Sequence, residues 1–187
     1  VYTIIYQGRF DEARQMAEGL LEEARQRGLR WVERESLNQL GEIARYEERW
    51  EESRGYYTRY RELNRKSGLF DRRVADLNLA LVELGRGDFE RAERMLDELR
   101  SAIGEGTRHL VPTVELGRLA AGAGCGAGDL DERLDAVDAA FEEVETREPT
   151  QKWVARRASS ELRRRGDEER AERICRLAGV EWVEEES

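Results

Sequence analysis

His109 is the only histidine in the 187 residues, so a multi-histidine metal site is excluded and a catalytic triad has one candidate base. Paired with Cys125 it would form a thiol dyad, the imidazole taking the proton that turns the thiol into a nucleophile. The spacing opposes this: His109 opens an expected helix and Cys125 lies in the loop after it, and a helix of about 14 residues holds its ends roughly 20 Å apart. Cys175, beside Ile174 and Ala171 on the inner side of the last expected helix, reads as a small hydrophobe. The run AAGAGCGAGD from Ala120 to Asp129 has the look of a phosphate-cradling loop. A helix precedes it, no lysine follows, and Asp129 would repel an anion, so it is expected to be a flexible turn widened by insertion. The acidic pairs Glu22-Glu23, Glu47-Glu48, Glu51-Glu52 and Glu142-Glu143 diverge around a helix and are flanked by arginines, as in Glu90–Arg94 and Glu169–Arg173. Solvated helix faces with i,i+4 pairing account for them. No catalytic, cofactor-binding or metal-ligating residue is expected.

The elements that carry these residues are read from composition. Charged residues and hydrophobic residues each make up 39%, aromatics only 7%, and two prolines leave little room for loops, which points to amphipathic helices. The formal charge of −9 counts against nucleic acid as a partner, since phosphate binding needs a basic stripe. No apolar run reaches the roughly 18 residues of a membrane span, and no secretory signal is visible. Two irregularly spaced cysteines make no disulfide framework. A cytoplasmic protein is expected. Lys66 and Lys152 are the only lysines among 32 basic residues; GC-rich, bacterial coding and selection for guanidinium ion pairs both produce that bias. Val1 falls inside a repeat, so the chain is expected to be a piece of a longer protein.

One segment recurs: GRFDEARQMAEGLL from Gly8, ERWEESRGYYTRY from Glu48, GDFERAERMLDEL from Gly87 and GDEERAERICRLA from Gly166. The starts are separated by 40, 39 and 79 residues, the last being two periods, and GDLDERLDAVDAAF from Gly128 fills the gap. Each start reads as a turn, then an aromatic or similar residue, then a small residue: Ala13, Ser53, Ala92 and Ala171. In the fourth unit Arg133 or Leu134 stands there instead. A second small residue lies seven positions before the turn at Gly41, Ala80 and Ser159, as two closely packed antiparallel helices require. Asp88, Asp129 and Asp167 are suited to cap the helices that follow. Helices are expected over about 9–27, 31–47, 50–67, 70–85, 88–103, 109–122, 129–146, 150–165 and 167–178, with a cap ending at Trp182.

With Leu40-Gly41, Trp50, Ser53, Tyr57 and Tyr60 in the second unit and Leu79-Ala80, Gly87, Phe89, Ala92, Leu96 and Leu99 in the third, the pattern resembles the tetratricopeptide repeat. The longer period is similar to units of bacterial signalling proteins and kinesin light chains. The resemblance implies an all-α, right-handed superhelical solenoid of about five antiparallel helix pairs, a single domain with units near 1–30, 31–69, 70–106, 107–147 and 148–187. It also implies a concave groove, lined by the first helix of each pair, that receives a peptide or a protein segment, another domain of the same chain included. By position in the repeat, the groove residues are Glu35, Asn38, Gln39, Glu42, Arg45 and Tyr46 in unit two, Leu77, Asn78 and Leu81 in unit three, Arg118 in unit four, and Trp153, Arg156 and Arg157 in unit five. Asn78 matches the asparagine that peptide-binding members use to hold a peptide backbone; bonding to a neighbouring helix is its other role. The family's carboxylate clamp is disfavoured by Glu35 and Glu42. The expected function is a non-catalytic scaffold, the sensory or adaptor part of a larger bacterial signalling protein, with binding centred between units two and three. Self-association through exposed apolar ends is the second reading, and a thiol enzyme using Cys125 and His109 the third.

Overall fold

The structure, a computed structural model, describes residues 1–65, 69–142, 144 and 146–181, with the backbone alone at 69–71. The helices are α1 (Tyr2–Tyr6), α2 (Phe10–Arg27), α3 (Arg30–Tyr46), α4 (Trp50–Asn64), α5 (Leu69–Arg86), α6 (Phe89–Ala102), α7 (Val111–Cys125), α8 (Leu130–Phe141), α9 (Pro149–Arg164) and α10 (Glu168–Ala178), with a 3-10 turn at Glu105–Leu110. There is no strand among the described residues, and no helix there is long and apolar enough to cross a membrane. The expected end of the third helix at 67 and the cap ending at Trp182 lie outside the described residues.

Two compact units divide the chain, Val1–Arg86 and Gly87–Ser187. In the first, each of α1 to α5 packs on the next. Its reversals need left-handed backbone, which glycine adopts without a steric penalty. Gly8 has φ 74°, but at the equivalent turn Glu48 carries φ 58°, an unfavourable angle for a residue with a Cβ. Glu48→Gly is therefore expected to stabilise the protein by about 0.5–1 kcal/mol, the relief of strain exceeding the extra entropy glycine brings to the unfolded chain; a rise in urea midpoint at constant m would show it.

Small residues set how closely the helices approach. Ser53 on α4 is fully buried and donates its hydroxyl to the Gly41 carbonyl of α3 at 2.7 Å. A Cβ on Gly41 would stand 2.8 Å from the Tyr57 ring, so that glycine is what admits the ring. Further along, Trp50 at the start of α4 lies on Gly85 of α5, where an added Cβ would come within 2.4 Å of its ring. Phe10, at the same place on α2, stacks on Tyr46 of α3 with ring centroids 5.9 Å apart. Leu37, Leu40 and Ile43 on α3 are almost wholly buried, each contributing about 1.5–3 kcal/mol.

In the second unit α7 is the central helix, packed by α6, α8 and α9, while α10 covers α9 and touches α8. Gly124 receives the Phe89 ring, whose carbons would lie 2.3–2.5 Å from an added Cβ. Trp50 with Gly85 and Phe89 with Gly124 are thus the same contact made twice at the same separation in sequence. The run from Ala120 is accordingly not a flexible turn up to Cys125: it is helix, and its small residues are contact surfaces. The reversal is made by Gly126 (φ 80°) rather than Gly128. In α8, Leu134 takes the buried small-residue position and Arg133 extends over Gly122 of α7.

Asp88 and Asp167 cap their helices by accepting the Arg91 and Arg170 N–H groups. Asp129 does not, because its carboxylate accepts from Arg133 Nε at 2.8 Å. The helix α8 ends at Phe141, short of the expected 146. Pro149 forces Glu148 into extended backbone (ψ 151°), and Arg147 lies over the Phe141 ring at 4.4 Å and donates to the Leu177 carbonyl at 2.8 Å. Arginine also bridges alternate helices: Arg14 of α2 to Glu52 of α4, and also to Glu47 in the turn between α3 and α4, Arg133 of α8 to Glu93 of α6, and Arg170 and Arg173 of α10 to Asp131 and Asp138 of α8. One guanidinium reaches two carboxylates in several of these, which an ammonium would do less well.

Candidate functional site

The residues expected in the groove of the first unit are brought together, but largely below the surface. Asn38 donates its amide to the Tyr2 hydroxyl at 2.7 Å, and Asn78 donates its own to the Asn38 side-chain Oδ1 at 3.0 Å, making a line across α1, α3 and α5. Asn78 therefore does bond to a neighbouring helix. Burial first, then the carboxylates of Glu42 and Glu35, raises the Tyr2 phenol above its ordinary value, with the Asn38 bond opposing.

Glu42 and Arg45, expected to face a ligand, are 6% and 1% exposed, one turn apart with Nη2 3.8 Å from Oε1. The guanidinium also lies over the Tyr46 ring, 5.1 Å from its centroid. Burial alone would lower the Arg45 pKa, but Tyr57, Tyr46 and Glu42 more than offset this and hold it above its ordinary value. Such a group anchors the inside of the unit. Leu77 and Leu81, expected to extend apolar character onto the surface, are 5% and 0% exposed. The reason is that α5 buries apolar side chains around most of its circumference, Leu79, Ala80, Val82 and Leu84 among them. Glu35, Gln39, Tyr46 and Asn78 remain half-buried.

In the second unit, Arg118 is engaged by Asp97 at 2.7 Å and Glu115 at 2.8 Å. Arg157 lies 3.5 Å from Glu161 and 5.8 Å from the centroid of the Phe89 ring. Trp153 is half-buried and Arg156 exposed, both on α9. His109 belongs to the 3-10 turn before α7 and Cys125 is the last residue of that helix, so the length of α7 separates them. Burial, then Glu93 and Glu90, raises the Cys125 thiol, the opposite of what a nucleophilic thiolate requires. Among the described residues no group of three or more His, Cys, Asp or Glu is placed to hold a metal.

A cleft of about 1050 Å³ opens in this unit between the C-terminal end of α6, the 3-10 turn, α8 and the start of α9. Val111, Pro112, Ala136, Ala139, Ala140 and Val144 supply apolar lining, and Arg100, Arg108 and His109 line the cleft together with the carboxylates of Glu105, Glu142 and Glu148. Glu115 and Gln151, each 3% exposed, are among the lining residues. Glu115 is held by Arg100 and Arg118, while Gln151 accepts the Glu148 N–H at 3.0 Å in the capping box that starts α9. An apolar wall beside fixed amide and charged groups is suited to a short side chain and its peptide backbone. Sequence reasoning missed the cleft; the visible signal was the alanine run of α8, which leaves space where its neighbours carry larger side chains.

No family model matches the chain, and no curated protein matches it.

Proposed function

We propose that the chain is a non-catalytic protein-interaction scaffold: a tetratricopeptide-like right-handed solenoid that binds a peptide or protein segment, as the sensory or adaptor part of a larger bacterial signalling protein. The observation that carries this is the repeated interlock of Trp50 on Gly85 and Phe89 on Gly124. A contact repeated at a constant spacing is how identical supersecondary units stack into an array whose surface serves recognition. The segment is received in the cleft of the second unit, with Gln151, Arg100 and Arg108 the polar groups that meet its backbone, and the alanines of α8 accepting a short apolar side chain. Trp153 and Arg156 on α9 extend the contact.

Selection of a phage-displayed random peptide library on the immobilised chain tests the reading. Enriched peptides are expected to lose affinity about 30-fold with Ala140→Arg, which fills the cleft, as for removal of a central anchor. Binding that survives Ala140→Arg but is lost with Trp153→Ala would move the site onto α9. Failure of any peptide to enrich would remove the support for segment binding.

A further inference from the structure

The large apolar side chains exposed among the described residues are Tyr6, Met16, Leu20, Leu29 and Trp31, all at one end of the first unit. The helix α2 accounts for their arrangement. It buries Ala13, Ala17, Leu21 and Ala24 against its neighbours. An adjoining stripe, Glu12, Met16, Gly19, Leu20, Glu23 and Arg27, recurs at helical spacing and is exposed throughout. Gly19 sits near the middle of the helix, where glycine costs about 1 kcal/mol relative to alanine. An added Cβ there would meet nothing within 4 Å, so no contact within the chain uses the gap.

We propose that this stripe is a self-complementary interface on which α2 of a second copy packs antiparallel. In one register Leu20 of each copy stands over Gly19 of the other, Met16 lies along the methylene stem of Glu23, and Glu12 faces Arg27. Each contact occurs twice about the two-fold axis, as an isologous interface requires. A parallel pairing would instead set Glu12 on Glu12 and Arg27 on Arg27. Within one copy Glu12 pairs with Arg9, and Glu23 with Arg27 at 3.1 Å, all well exposed; such pairs are weak and re-partner readily. Tyr6 precedes α2, and Leu29 and Trp31 follow it, so an antiparallel crossing brings the Tyr6 end of each copy toward the Leu29 and Trp31 end of the other.

Sedimentation velocity of the intact chain over about a hundredfold concentration range tests this, since a dimer must dissociate by mass action. Leu20→Glu is expected to weaken dimerisation about 30-fold or more while leaving the melting curve of the monomer unchanged. Glu12→Arg and Arg27→Glu should each weaken it about tenfold, and the double variant should restore it, because the exchange recreates the opposite-charge pair. A chain that is monomeric throughout the range overturns the proposal, as would follow if a different protein's helix were the occupant. A dimer indifferent to Leu20→Glu, or single charge reversals that the double variant does not rescue, also overturns it.

Discussion

Replacing Arg45 by alanine is expected to lower the unfolding free energy by about 3–5 kcal/mol, the cost of breaking a buried ion pair from one side. The guanidinium is 1% exposed, and its removal leaves the Glu42 carboxylate, itself 6% exposed, in the interior without that cation. The aromatic stack of Tyr46 on Phe10 loses the group lying over it as well. Urea unfolding measures the loss. The double variant Glu42→Leu, Arg45→Met should recover most of it, since apolar residues of similar size often replace a buried pair at little cost. If Arg45→Ala and the double variant are equally destabilised, the pair is not energetically coupled.

Gly124→Ala is expected to be nearly as damaging. Its Cβ would fall within 2.5 Å of Phe89 ring carbons, and a ring held between two helices cannot swing away as a flexible chain end can. Overpacking of this kind costs about 1–3 kcal/mol, and the closeness of the contact places this case at the upper end. Gly85→Ala should behave alike against Trp50. Gly55→Ala is the control: it sits in α4 with nothing within 4 Å, so helix propensity alone should stabilise by up to about 1 kcal/mol. Thermal melts of the three variants separate contact from propensity.

These glycines also show what the sequence revealed and what it concealed. The turns at Gly8, Glu48, Gly87 and Gly166 were legible because one residue type, or a tolerated substitute, must supply positive φ at a fixed distance from a buried small residue. Among the described residues helix boundaries followed within a few positions, except at the end of α8, where the extended backbone before Pro149 and the seat of Arg147 on Phe141 stop the helix early. At the fourth turn the period was broken, and Gly126 and Gly128 are indistinguishable by type; only the packing of Gly124 and Gly122 decides which one reverses the chain. The candidate site was less legible. Arg45 and Glu42 are charged, and charge in a repeat ordinarily marks the solvent side, yet here Tyr57 and Tyr46 build a polar interior around them. Leu77 and Leu81 were misplaced for the converse reason: a helix apolar on most sides gives no periodic stripe from which to tell groove from core. The cleft depends on alanines failing to fill a space, and an absence of side-chain volume has meaning only once the neighbours are in place.

The direction of the arginine bridges bears on which hairpins could be exchanged without setting like charges together. Between alternate helices of the second unit, among the described residues, the acid stands on the earlier helix and the arginine on the later one, from Glu93 to Arg133 and from Asp131 to Arg170. In the first unit the order is reversed, Arg14 preceding Glu52. Losing the hairpin of α7 and α8 would place an acid of α6 opposite an arginine of α10, and opposite charges would still meet. Moving the hairpin that carries Arg14 to the position before α8 would set arginine against arginine. The sign of these bridges therefore favours a hairpin gained or lost within the second unit over one exchanged between the two units, a constraint on rearrangement laid over their bracing of the fold.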